Sequence, residues 1–254
     1  MSRNFELLDQ AGRLQEMLEP PAEHAAVRQN VPAEDTGSST PTVEVAGKVG
    51  DEIAMLVHNL FLSRSGDGPR QVIFTGTESG SGCSWTCAHV AEVLASQVHA
   101  SVCVVDCNLR SPSLHRQFVT KNHYGLSDSL LGFDPISQYA SPLSRKNLWL
   151  LSCGSAAENP QVQLISERMR LRLSELRAQF DYVLIDVAPL NACKDGIVLG
   201  RSVDGVVLVL KANSSRREAA RKAVQELQSA RIEVLGVVLN QRNFPIPAWL
   251  YNKL

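Results

Sequence analysis

Six short runs of apolar, largely β-branched residues punctuate this chain, and helical segments lie between most of them. The runs are 71–75 (QVIFT), 101–106 (SVCVVD), 147–151 (NLWLL), 182–186 (YVLID), 205–210 (GVVLVL) and 233–239 (EVLGVVL). Strands apolar at consecutive positions must be covered on both faces, which is the condition of a parallel sheet wrapped by helices. The helical segments are 84–97, 160–179 and 215–230. A further one at 50–62 precedes the first strand, with Ile53, Leu56, Val57, Leu60 and Phe61 on one side. The order predicts an α/β fold, a doubly wound and mostly parallel sheet without internal repeats.

Residues 1–45 differ from the rest. Leu7, Ala11, Leu14 and Leu18 recur at helical spacing within 4–18, predicting a short amphipathic helix. The segment PPAEHAAVRQNVPAEDTGSSTPTVEV that follows has no period and reads as a flexible linker. With three Arg against eight Asp and Glu, residues 1–45 form an acidic arm, and 46–254 is expected to be the folded domain.

Composition closes off several classes of function. At 44% hydrophobic and 20% charged residues the chain is neither disordered nor fibrous. Lys+Arg is 25 against Asp+Glu 26, so no basic field invites nucleic acid. No apolar stretch approaches the roughly 18–20 residues of a membrane span, and MSRNFELLDQ lacks a signal-peptide layout. The expected location is the cytoplasm. The six cysteines (83, 87, 103, 107, 153, 193) make no C-x-x-C pair. They read as buried, reduced thiols, with zinc as the lesser alternative.

The first strand runs into GTESGSGCSWTCAHVAEVLA, a glycine-rich turn opening directly into a helix. Strand, glycine loop and helix N-terminus together form a phosphate cradle of backbone N–H groups. The bland alternative is a plain glycine turn in a flavodoxin-like sheet. Two acids lie at the carboxyl ends of other strands, Asp106 in SVCVVDCNLRSPSLH and Asp186 in FDYVLIDVAPL. Ligands of open α/β sheets bind there, and an acid in that place can reach Mg²⁺ through water.

With SGSGCS, VVDCNLRSPSLH, YGLSDSLLG, LLSCGSAAENP and YVLIDVAPL, the chain from about residue 46 resembles the bacterial tyrosine autokinases of exopolysaccharide synthesis. These are the CpsD/CapB group of the MinD/ParA-like P-loop ATPases. DGVVLVLKA and VLGVVLNQR extend the resemblance toward the C-terminus. It implies ATP or ADP with Mg²⁺ as cofactors. Gly80, Ser81, Gly82, Cys83 and Ser84 would form the nucleotide loop, Ser84, Asp106 and Asp186 would serve the metal, and Asn240 would face the adenine. Asp106 would be the candidate base. It also implies a membrane polysaccharide co-polymerase or another exopolysaccharide assembly protein as partner. The module would then be peripheral to the inner membrane through that partner, with tyrosine acceptors at its own C-terminus.

The departures from that pattern fall on the chemistry. Cys83 stands where the loop lysine would neutralise the β- and γ-phosphates, and Asn108 where a second strand-end acid would be. Trp85 replaces a small hydroxyl residue and would either crowd the phosphates or serve as core. Glu52, Met55 and His58 occupy a motif, E-x-x-R-x-x-R, that would build rings, and both arginines are gone. Tyr251 is the single tyrosine of the C-terminal run and only a weak acceptor. Cys83, Cys107 and Cys193 would border the pocket, as small filling of a disused charged site rather than a redox or metal centre. His89, His99 and His115 show no metal spacing, and His115 reads as structural. The expectation is therefore a degenerate, kinase-like binding or regulatory module, monomeric or a small oligomer. The alternatives are an active tyrosine autokinase and a MinD/ParA-type positioning ATPase.

Overall fold

A computed structural model describes residues 48–63, 68–155 and 159–241. The predicted N-terminal helix, the acidic linker and Tyr251 lie outside the described residues. The strands are β1 (Gln71–Gly76), β2 (Val102–Asp106), β3 (Ser141–Pro142), β4 (Leu148–Leu151), β5 (Tyr182–Asp186), β6 (Gly205–Lys211) and β7 (Val234–Asn240). They form one seven-stranded sheet in the order β3-β4-β2-β5-β1-β6-β7. Every pairing is parallel except that of β3 with β4. The doubly wound, mostly parallel sheet is as expected. The short edge strand β3 contains Pro142, a residue tolerated in a sheet only where no ladder donor is needed.

The helices are α1 (Lys48–Val57), α2 (Cys83–Gln97), α3 (Leu114–Gln117), α4 (Leu126–Leu131), α5 (Pro160–Leu164), α6 (Glu167–Gln179), α7 (Asp195–Gly200) and α8 (Arg217–Ser229). α1 runs on through one π-helical turn, His58–Leu62, which keeps Leu60 and Phe61 buried beside Ile53 and Val57. The helix expected over 160–179 is two. The Ser166 side chain accepts from the Met169 amide at 3.2 Å and starts α6 afresh, because a serine satisfies the free amides of a helix start.

Alternation along each strand divides the core. Val72 and Phe74 of β1 join Val104, Val207 and Val209 in a cluster under α1 and α2. Ile73 points the other way, with Val105, Ile185 and Leu208, against Met169, Leu173 and Leu176 of α6 and Leu227 of α8. Fully burying one such side chain is worth about 1.5–3 kcal/mol. Both faces of β1 are covered, and β1 lies between β5 and β6, where the chain reverses its direction of travel across the sheet. That reversal opens a crevice at the carboxyl ends of the strands, and the glycine-rich turn follows β1 directly into it.

Candidate functional site

Loop 76–84 turns sharply because two glycines adopt left-handed conformations, Gly80 and Gly82, each with φ 80°. Gly82 immediately precedes α2. A Cβ at Gly82 would collide with the amide of Asn240, whereas a Cβ at Gly80 would meet nothing. The loop is pinned from the tip of β7. Asn240 Nδ2 donates to the Ser81 carbonyl at 3.0 Å, and Gln241 Nε2 reaches the Gly80 carbonyl at 3.4 Å. The Asn240 amide, implied to face an adenine, is thus engaged with the loop itself, and its Oδ1 accepts from the Gln241 amide at 2.8 Å. On the other side Glu78 accepts from the Ser215 hydroxyl at 2.8 Å.

Beneath the start of α2 lie the two strand-end acids. Asp106 and Asp186 face one another in register on adjacent parallel strands, and neither is exposed to solvent. Asp106 is well served: Oδ2 accepts from the amides of Ser113 (2.9 Å) and Leu114 (3.0 Å), and Oδ1 from that of Asn108 (3.2 Å). Burial nevertheless pushes its pKa up to about 6, against the pull of those amides and of Arg116. Asp186 has no hydrogen bond of good geometry to either oxygen. Burial and the neighbouring Asp106 carry its pKa up to about 7, and the nearby Ser84 hydroxyl and Cys83 thiol pull it back only in part. A buried carboxyl with so few partners is costly, and two carboxyls side by side repel when ionised.

Thiols surround this pair. Burial and then Asp186 raise the pKa values of Cys83 and Cys87, and burial with Asp106, Cys153, Asp186 and Asp195 raises that of Cys107. Such thiols stay protonated and unreactive. Cys193 donates to Asp195 at 3.0 Å, and Arg110 lies 3.9 Å from the same carboxylate. Among the described residues no group of three or more His, Cys, Asp or Glu could hold a metal ion by itself.

Trp85 is half-buried. It packs against the α1–α2 cluster and stacks on His89 with ring centroids 3.9 Å apart, so of the two readings the core one holds. Asn108 uses its side-chain oxygen to accept from the Ser111 amide at 3.3 Å, closing a local turn. Sequence reasoning read Cys87 as a buried thiol but placed neither it nor Asp195 at the pocket. Cys87 lies one helical turn after Cys83, a spacing that places both on one face of α2. Asp195 opens α7, a helix too short to show a period.

Ser84, Asp106 and Asp186 therefore converge at the helix start, and the orphaned oxygens of Asp186 fit a hydrated divalent cation. Loop 76–84 fits a phosphate in shape but not in charge, since it contains no Lys or Arg and carries Glu78. The sequence matches no protein-family model. It is 33% identical over 171 residues to the tyrosine-protein kinase YwqD of Bacillus subtilis, covering 67% of this chain and 72% of that protein. It is 32% identical over 169 residues to the tyrosine-protein kinase wzc of Salmonella typhi, and there the match spans 23% of the relative's length. The kinase domain of Escherichia coli tyrosine kinase ETK superposes with a TM-score of 0.75 at 23% identity, over 85% of this chain and 86% of that one. The septum site-determining protein MinD from Pyrococcus horikoshii, solved with Mg-ADP, superposes at 0.59 and 19% identity over 72% and 76% of the two chains. The last two likenesses establish the fold.

Proposed function

The chain belongs to the bacterial tyrosine-protein kinases, and from that premise we propose that it is a degenerate member, a kinase-like module that acts by binding within exopolysaccharide assembly. The observation that carries this reading is Cys83. It occupies the place of the loop lysine, and it lies beside the buried Asp186 carboxyl. Losing one charge-assisted contact costs about 1.5–3 kcal/mol, which is about one to two decades of affinity. The loss weighs more on a transition state that gathers charge on the transferred phosphoryl group.

Ser84, Asp106 and Asp186 would hold Mg²⁺, and Gly80, Ser81 and Gly82 would shape the phosphate cradle around ATP or ADP. Bound there, the metal would offset phosphate charge. The chain's own contribution is positional: Asn240 fixes the loop through the Ser81 carbonyl, and α2 directs its first amides at the cradle. Asp106, saturated by three backbone amides, would be a poor base without rearrangement. Asn108 supplies no negative charge. The partner we propose is a membrane polysaccharide co-polymerase or a related assembly protein. Among the described residues no helix is long and apolar enough to cross a membrane, which is consistent with association through such a partner. An active kinase is the second reading, favoured by the retention of Ser84 with both strand-end acids.

The test is ATP titration with and without Mg²⁺, together with phosphotyrosine detection, on wild type, Cys83→Lys and Cys83→Lys with Asn108→Asp. Wild type is expected to bind weakly and not to label itself. Cys83→Lys should recover binding more than turnover, because groups acting as a unit are not additive. Wild-type labelling of Tyr251 at about 1–100 per second, typical of kinases, would make the second reading correct.

A further inference from the structure

A second concave site lies away from the glycine-rich loop. A cavity of about 900 Å³ opens beside α3 and the turn after it, and none of its lining residues belongs to loop 76–84. Its wall carries His115, Arg116, Lys121 and His123, with the hydroxyls of Thr120 and Tyr124, and no carboxylate lines it. In a chain of net charge −1 this is a local concentration of basic side chains.

The two permanent cations are available. Arg116 donates one N–H to the Pro112 carbonyl at 3.1 Å, which leaves most of its fork unused. Among the described residues Lys121 and His123 form no ion pair. His115 Nδ1 is enclosed and accepts or donates no hydrogen bond. The turn that presents them is fixed by the Thr120 amide donating to the His115 carbonyl at 2.8 Å. It passes through Val119 at φ 49°, a left-handed conformation that costs about 1–3 kcal/mol.

Tyr124 adds an aromatic surface. One face stacks on Tyr139, with centroids 4.7 Å apart and planes inclined by 17°, and the residue is 51% exposed. Its outer face is therefore open to a second ring. The Tyr124 hydroxyl hydrogen-bonds to that of Tyr139, and Asp134 and Asp128 act on it more weakly; Asp128 is already bound to the Gly125 amide and the Ser155 hydroxyl, each at 2.8 Å.

We propose that this cavity recognises a phosphotyrosyl side chain, with the phosphate dianion against Arg116 and Lys121 and the aryl ring against Tyr124. Two permanent cations match the charge of a phosphate ester near neutrality, and an arginine fork gives it two parallel hydrogen bonds. His115 and His123 line the same cavity. The choice of an aryl ester over other phosphates rests on the free ring face and on the family reading above, whose relatives are tyrosine-protein kinases. A module that does not itself transfer phosphate would thereby sense whether a kinase nearby has done so.

Fluorescence anisotropy on the full chain, without ATP, tests the assignment. The probes are labelled Ala-Ala-phosphotyrosyl-Ala-Ala, its phosphoseryl counterpart and its unmodified tyrosyl counterpart. The phosphotyrosyl peptide should bind about tenfold or more tighter than the unmodified one, the scale of one charge-assisted hydrogen bond. Lys121→Ala should weaken it by a similar factor. Tyr124→Ala should erase the preference for phosphotyrosine over phosphoserine, and Tyr124→Phe should retain it. Lys121 and Tyr124 are exposed side chains, so neither change threatens folding. Equal binding of the two phosphopeptides to wild type, or affinity unchanged in Lys121→Ala, would overturn the proposal. Because no nucleotide is present, an outcome in which the chain proves to be an active kinase leaves this result standing on its own.

Discussion

A carboxyl group buried with few hydrogen-bond partners imposes its own pH dependence. Asp186 titrates at about 7 in the folded chain against an ordinary value of 3.8, and Asp106 at about 6. Both shifts are upward, so between about pH 4 and 7 the folded state binds more protons than the unfolded one. Their contribution to stability is thus most favourable in acid and declines as pH rises through the folded pKa values. Asp186→Asn, which removes the charge and keeps the shape, is expected to stabilise the apo protein at pH 8 by a few kcal/mol, at about 1.4 kcal/mol per pKa unit. It should change little at pH 4. Urea denaturation at the two pH values in EDTA checks this, and an equal effect at both would show that the carboxylate is not the cause. Cys83→Lys should act in the same direction at pH 8, because an ammonium beside Asp186 favours its ionised form.

Elements in this fold are joined by single polar side chains as well as by apolar faces. Arg172 of α6 is 2% exposed and shares the buried stripe of Met169, Leu173 and Leu176. Its guanidinium donates to the carbonyls of Ser129 (2.7 Å), Gly132 (3.1 Å) and Asp134 (2.9 Å) and pairs with Glu175 at 2.6 Å. It thereby satisfies the carbonyl end of α4, which a helix leaves without partners. Arg172→Met is expected to cost about 3 kcal/mol in urea unfolding, since several buried acceptors lose their donor at once. A loss below about 1 kcal/mol would mean that water replaces the guanidinium. This contact was only half legible in the sequence. The helical spacing of 169, 173 and 176 marks the buried face, but nothing local says which carbonyls an arginine on that face will meet. The six main strands were legible because they are apolar at consecutive positions, Gly80 and Gly82 because they follow a strand, and Asp106 and Asp186 because they end one. α3, α4 and α7 were not, being four to six residues long, too short for a 3.6-residue period to register. Asp195 and the basic cavity escaped for a related reason: they are assembled by crossings between elements rather than by spacing within one.

At the scale of the whole molecule, α1 offers no arginine forks for self-association. Met55 is 65% exposed and His58 is exposed on the segment where the resemblance implies ring-forming arginines. An imidazole or thioether cannot supply a bidentate guanidinium contact. Light scattering at micromolar concentration is expected to give a monomer or small oligomer, and an octamer-sized species would contradict this. The sheet order also bears on how the protein must be made. β1, the first strand among the described residues, pairs with β5 from Val183 onward and with β6 from Gly205 onward. Both neighbours are over a hundred residues downstream, so a nascent chain must carry β1 with two open, apolar edges while most of the domain is still being synthesised. Such edges are where growing chains misassociate. The loop after β1 waits longer still, because the Asn240 amide that fixes it arrives 159 residues later. The loop is therefore fixed well after β1 has emerged, and slowed translation between residues 77 and 182 would prolong the exposure of β1 to aggregation.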